Sequence, residues 1–234
     1  MDTLILGVAW YAVLLFSLTF HEAAHAWAAL RGGDRTAYHA GQVSLDPVPH
    51  IRREPFGTVI FPLLAYALGG WMIGWASTPY DPAWAHAHPR RAGWMSLAGP
   101  GANLVLVLLA AAAIRAGLAA DVFVAPDAIG FSDLTEAPGG GVWASLATVL
   151  SVLFTLNLIL LFFNLLPFPP LDGSGAISLL VSEDTARRLQ AFFVQPGLAL
   201  AGIVLAFLLF REVFPGIHLF AINLLYPDMS YGFR

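Results

Sequence analysis

His21, Glu22, Ala23, Ala24 and His25 place two histidines four residues apart with a glutamate beside the first. On a helix, residues at i and i+4 lie on one face, one above the other. Two imidazoles so placed reach one zinc ion, and the glutamate is positioned to take a proton from water activated beside that ion. A catalytic zinc usually has three protein ligands and keeps a fourth position for water. The 234 residues include no cysteine, so the third ligand has to be a histidine or a carboxylate. The candidates are His39 or His50 in an arginine-rich segment, His86 or His88 ahead of Arg90, and Asp172. Asp172 is the strongest of these. It is an isolated acid just past Asn164-Leu165-Leu166-Pro167-Phe168-Pro169-Pro170-Leu171, where three prolines in four positions break a helix. Its alternative role is to cap a helix that starts near Gly173.

The elements that must carry these residues are membrane helices. The chain is 58% apolar and 11% charged, against about 25% charged in an average soluble domain, and its mean hydropathy is +0.73. This excludes a disordered chain and argues against an ordinary cytosolic globule. There is no lysine, 11 arginines face 15 acids, and a net charge of -4 without a basic cluster argues against nucleic-acid binding. A bilayer core needs about 20 mostly apolar residues in a helix. Four stretches meet this: Leu4 to about Leu30, Ala92 to Ile114, Val142 to Leu166, and Pro196 to Phe210. The first has no positive charge ahead of it and no small-residue cleavage site, so it reads as a retained helix. A fifth stretch, 56–75, is interrupted by Gly57, Pro62, Gly69 and Gly70, and a last one, 217–226, is too short to cross and reads as interfacial. Segment 34–50 alternates weakly and predicts a short β-like hairpin. The expected fold is an all-α polytopic membrane protein of about five to six membrane segments. It forms one domain over 1–234, with a core of about 4–181 and a C-terminal membrane helix of about 196–214.

The histidine motif follows the apolar run from Leu4 to Phe20, so it lies near or inside the bilayer. A charge at the centre of a membrane helix costs roughly 2.5–3.5 kcal/mol on insertion scales. Three ionisable residues in five positions therefore need a compensating interaction, and a bound metal supplies one.

The combination of HExxH on a membrane helix with a distant Asn-x-x-Pro-x-x-Pro-Leu-Asp-Gly stretch, Asn164 to Gly173, resembles the site-2 protease family of intramembrane zinc metalloproteases. Ala98-Gly99-Pro100-Gly101-Ala102-Asn103 resembles that family's Gly-Pro-x-x-Asn stretch. The likeness runs from about Phe16 to Ser174, including the less diagnostic Gln42–His50 and Gly74–Ala76. The segment after about 182 carries no matching motif, and no PDZ-like insert is evident, so the resemblance is to a compact member. It implies one zinc ion held by His21, His25 and Asp172, with Glu22 activating water. It also implies cleavage of transmembrane proteins or of signal-peptide remnants, in regulated intramembrane proteolysis. Asn103, Asn157, Asn164 and His50 are candidates to bind the substrate backbone, stabilise the oxyanion or line the site; for the asparagines the alternative is an interhelical hydrogen bond.

This assignment makes a geometric demand. His21 and His25 sit towards the C-terminal end of the first span and Asp172 sits past the C-terminal end of 142–166, so these two spans must run the same way. Only one of 56–75 and 92–114 can then cross, and 56–75, with its proline and glycines, is the one expected to re-enter. The same choice puts Arg31, Arg35, Arg52, Arg53, Arg90, Arg91, Arg187 and Arg188, 8 of 11 arginines, on one side. By the positive-inside rule that side is cytoplasmic in a multi-pass protein of the cell membrane. Two further readings compete: a metal transporter or sensor using the same ligands, and a catalytically silent homologue that binds membrane clients. The oligomeric state is left open by these residues.

Overall fold

The computed structural model describes residues 3–232, and among these it is built from helices. Helix α1, Thr3–Gly32, buries Trp10, Leu14, Ser17, Leu18, His21, His25 and Ala29, a stripe at spacings of three and four. Two short helices follow, α2 over Thr36–His39 and α3 over Pro47–Arg53. They stand where a hairpin was expected at 34–50. Asp46 caps α3 by accepting from the Val48 N–H at 2.9 Å, and Pro47 in the first turn supplies a preset φ. That local chemistry outweighs a weak alternation.

A π-helical turn, Phe56–Ile60, leads into α4, Phe61–Gly69, which ends on Gly70 at φ +72°. Together they reach about 21 Å, short of a 30 Å hydrocarbon core. The chain then returns extended, and the Trp75 N–H donates to the Gly57 carbonyl at 3.1 Å. Segment 56–75 thus folds back on itself. Helix α5, Pro82–Ala87, is capped by Asp81, and α6, Pro89–Ala119, runs through Pro100. After α7, Gly141–Asn164, a turn leads to the short α8, Asp172–Ala176, and then to α9, Glu183–Phe193, whose first turn is capped by Ser182.

Helix α10, Leu198–Leu225, merges two expected segments, 196–214 and the interfacial 217–226, into one. Pro215 lies inside it; a proline forfeits one backbone bond, a loss that membrane helices tolerate. Among the described residues four helices, α1, α6, α7 and α10, are long and apolar enough to cross a membrane. Their outward positions are apolar, among them Leu4, Val8, Leu108, Leu109, Leu200 and Phe207.

Helices α1, α6 and α7 pack on one another. Ser17 meets Asn157 near the middle while His21 and His25 meet Asp172 beyond the end of α7, so α1 and α7 run the same way. Met95 and Asn103 of α6 meet His25 and His21 in reverse order, so α6 runs against α1.

Candidate metal centre

His21, Glu22 and His25 are all buried, at 5%, 4% and 5% exposure. The two imidazoles stand edge to face, and their Nε2 atoms are 3.0 Å apart. Asp172 brings Oδ2 to 3.2 Å from His21 Nε2 and 3.3 Å from His25 Nε2. It is the first residue of α8, and the cap position before it is Leu171, so its side chain is not used as a cap. His21, His25 and Asp172 each offer a ligand atom within 4.8 Å of the others.

The outer nitrogens decide what these atoms are. His25 Nδ1 is 2.7 Å from the Met95 carbonyl oxygen, which can only accept, so Nδ1 carries the proton. For His21 the same conclusion travels through two asparagines. Asn157 Nδ2 donates to the Leu153 carbonyl at 2.8 Å and to Ser17 Oγ at 2.9 Å, which leaves Asn157 Oδ1 to accept from Asn103 Nδ2 at 2.8 Å. Asn103 Oδ1 then faces His21 Nδ1 at 2.6 Å and accepts from it. Both Nε2 atoms are therefore bare lone pairs, assigned from their partners. Two lone pairs and a carboxylate oxygen converge with no proton donor between them, and Asp172 Oδ2 is buried without a hydrogen-bond partner. Three acceptors in contact repel unless a cation lies among them, and two nitrogens with one oxygen suit zinc.

Helix α6 leaves the space. A methyl group at Gly99 would overlap Nε2 of both His21 and His25, so only glycine keeps the pocket in front of them open. At Gly101, two residues on, nothing lies within 4 Å of an added Cβ.

Glu22 is held from another direction. The extended chain after α4 passes beside it, and Thr78 Oγ1 is 2.8 Å from Glu22 Oε2 and 2.9 Å from the Glu22 carbonyl oxygen. This strand-like stretch is pinned along its length. Ser77 Oγ donates to Glu54 Oε1 at 2.7 Å and accepts from Arg53 Nε at 3.1 Å. The Asp81 N–H donates to Asp34 Oδ2 at 2.8 Å, and Thr36 gives Asp34 Oδ1 both its N–H and its hydroxyl. Burial pushes the Asp34 carboxyl up, yet these three donors bring it below its ordinary value. Gly57 and Gly74 let the two arms touch, since a Cβ on Gly74 would overlap the Gly57 carbonyl oxygen.

The family model for peptidase family M50 matches residues 9–209. The chain belongs to peptidase family M50. The match confirms the site-2 protease resemblance carried by the histidine motif and the Asn164–Gly173 stretch. A Bacillus subtilis relative named Putative zinc metalloprotease YwhC is 35% identical over 183 residues, covering 75% of this chain and 70% of that protein. Two mycobacterial relatives, both named Putative zinc metalloprotease Rip2, are 33% identical (Mycolicibacterium smegmatis) and 34% identical (Mycobacterium tuberculosis H37Rv) over 175 residues. These alignments cover 75% of this chain and 58% of the Rip2 proteins, so the match spans less than two thirds of their length. No solved structure matches the chain significantly.

In this M50 chain the structure separates the site residues expected from sequence into two groups. His21, His25 and Asp172 converge, with Glu22 adjacent. Asn103 and Asn157, candidates for a substrate or oxyanion role or for an interhelical hydrogen bond, are both fully buried, with their amides engaged in the interhelical chain that ends on His21. Ser17 of α1 accepts from Asn157. Asn164 is the last residue of α7 and half-buried, with no side-chain hydrogen bond among the described residues. His50, a candidate to line the site, lies in α3; it is 1% exposed, and its Nε2 donates to the Ser44 carbonyl at 3.2 Å. His39, His86 and His88 are exposed and stand outside the cluster. Sequence reasoning missed Thr78, the Met95 carbonyl and the packing role of Gly99 against the imidazoles. Only Gly99 carried a signal, through its place in the Gly-Pro-x-x-Asn stretch.

Proposed function

We propose that this chain is a zinc endopeptidase that hydrolyses peptide bonds within or beside the membrane-spanning segments of other proteins. One observation carries the reading: three bare acceptor atoms meet on buried, largely apolar helices with a carboxylate, Glu22, next to them. His21, His25 and Asp172 would hold the zinc, which supplies Lewis-acid polarisation of the scissile carbonyl and acidifies water. Glu22 takes the proton of the attacking water and delivers it to the leaving amine as the C–N bond breaks, yielding a carboxylate and a free amine. The glutamate serves as base and then as acid, a role that pure metal transport or sensing does not require. The Asp172 side chain is one-fifth exposed (20%), which makes it the most open of the three prospective ligands.

The depth of the site supports the substrate class. Trp27 and Trp94 are exposed, with Arg31 stacked 5.6 Å over the Trp27 ring, the composition of a membrane interface. His25 lies two residues before Trp27, so the centre sits within roughly two turns, or about 10 Å, of that interface. The arginine-rich loops share this side, which is the cytoplasmic side of a multi-pass protein of the cell membrane. A transmembrane helix must unwind locally to present its amide, because helical bonding shields it. The extended chain 73–80, running past Glu22, offers an edge along which an unwound segment pairs by strand addition. Suitable substrates are membrane-anchored proteins and signal-peptide remnants in the bilayer.

The test is cleavage of a panel of fluorogenic transmembrane peptides by the reconstituted protein, with zinc content measured in parallel. Glu22→Gln is expected to keep its zinc and lose about 10²–10⁴-fold in rate. Asp172→Ala is expected to lose zinc affinity. The proposal fails if wild type binds zinc and cleaves no member of the panel, and the ligand assignment fails if Asp172→Ala binds zinc as wild type does.

A further inference from the structure

Resting on the protease reading, we infer that Thr78 is a positioning residue for Glu22, holding one carboxylate oxygen so that the other is presented for proton transfer. Its hydroxyl has one proton and two acceptors in reach, the Glu22 main-chain oxygen at 2.9 Å and Glu22 Oε2 at 2.8 Å. In an uninterrupted helix that carbonyl already receives the N–H of the residue four further on, and Glu22 and Ala26 both lie inside α1. The carboxylate is charged and forms the stronger hydrogen bond. The proton therefore goes to Oε2. Glu22 makes no other side-chain hydrogen bond among the described residues, which leaves Oε1 free to act as the base.

The arrangement has a reason in side-chain freedom. A glutamate has three rotatable bonds, and freezing them costs rotamer entropy. Placing the carboxylate beforehand removes that cost from the chemical step. Thr78 can do this because its own backbone is held from both sides, by Ser77 on Glu54 and Arg53 and by Asp81 on Asp34. The threonine belongs to neither of the sequence motifs that bear the metal ligands. It reaches Glu22 across 56 residues of chain, from the stretch proposed above to hold the substrate.

The test compares Thr78→Val, which keeps the shape and removes the donor, with Thr78→Ser, which keeps the donor. In cleavage of a transmembrane peptide, Thr78→Val is expected to lower kcat about 10–100-fold with KM changed less than about twofold, and Thr78→Ser to recover most of that loss. Zinc stoichiometry stays at the wild-type value in both. A measurement without substrate accompanies it: unfolding of the zinc-loaded protein in a cycle of Thr78→Val, Glu22→Ala and the double variant. If the hydroxyl serves the carboxylate, the loss from Thr78→Val shrinks in the Glu22→Ala background. An additive cycle, a Thr78→Val protein with wild-type kcat, or a serine variant as impaired as the valine one overturns the inference. If wild type cleaves nothing, the protease reading falls on its own, and the cycle still decides whether Thr78 holds Glu22.

Discussion

Asn103 meets His21 across 2.6 Å, and through it a membrane helix 82 residues away selects which nitrogen of the imidazole faces the metal position. Outer partners of this kind fix ring orientation and tautomer, and losing one typically costs 10–100-fold in metal affinity. Asn103→Ala is therefore expected to weaken zinc binding by about 10–100-fold in a competition titration with a chromophoric chelator. Asn157→Leu, one link further out, is expected to cost less, because Asn103 keeps its own contact with His21. An unchanged affinity in Asn103→Ala would show that the ring is held by packing alone.

Gly99 allows a sharper test. A methyl group there would occupy the space in front of both Nε2 atoms, whereas at Gly101 it would meet nothing within 4 Å. Gly99→Ala is expected to abolish zinc binding while the far-ultraviolet circular dichroism stays helical. Gly101→Ala, on the same helix, is expected to bind zinc normally. Elemental analysis of the two purified proteins reads the difference directly, and equal zinc in both would place the ion elsewhere.

Asp34 ties the end of α1 to the start of α5 through three donors. Its carboxyl is held below the ordinary 3.8 in the folded protein. A depressed carboxylate contributes stability that is complete above the unfolded pKa and is lost as pH falls through the folded one. Asp34→Ala is expected to cost about 1–3 kcal/mol at neutral pH by removing three hydrogen bonds to a charged acceptor. The gap between variant and wild type should then narrow as the pH is taken below 3.8. Unfolding titrations in detergent at a series of pH values measure it, and a gap independent of pH would assign the loss to packing.

Some of this could be read from the chain because it is local. A helical period of 3.6 puts His21 and His25 together whatever the rest of the protein does, and hydropathy over about 20 residues marks a span with no knowledge of its neighbours. Caps act over two or three residues, and they overrode the weaker alternation at 34–50, where Asp46 and Pro47 start a helix. The C-terminal membrane helix was expected to end near 214, yet α10 continues through Pro215 to Leu225. In a membrane the alternative to a helix is an unsatisfied backbone, which costs more than one missing bond.

From its sequence alone this chain determined that it is a membrane-embedded helical protein carrying two histidines and a glutamate on one helix face, with an aspartate after a proline-broken turn. Only the tertiary structure decided that Asp172 meets those histidines, that two asparagines and a carbonyl orient the rings, that Gly99 leaves the space, and that Thr78 holds Glu22. The division follows from distance along the chain. Spacing within a helix is set by backbone geometry, whereas contacts between residues 54 or more apart along the chain depend on the direction and packing of whole helices. No local pattern of residues carries that information.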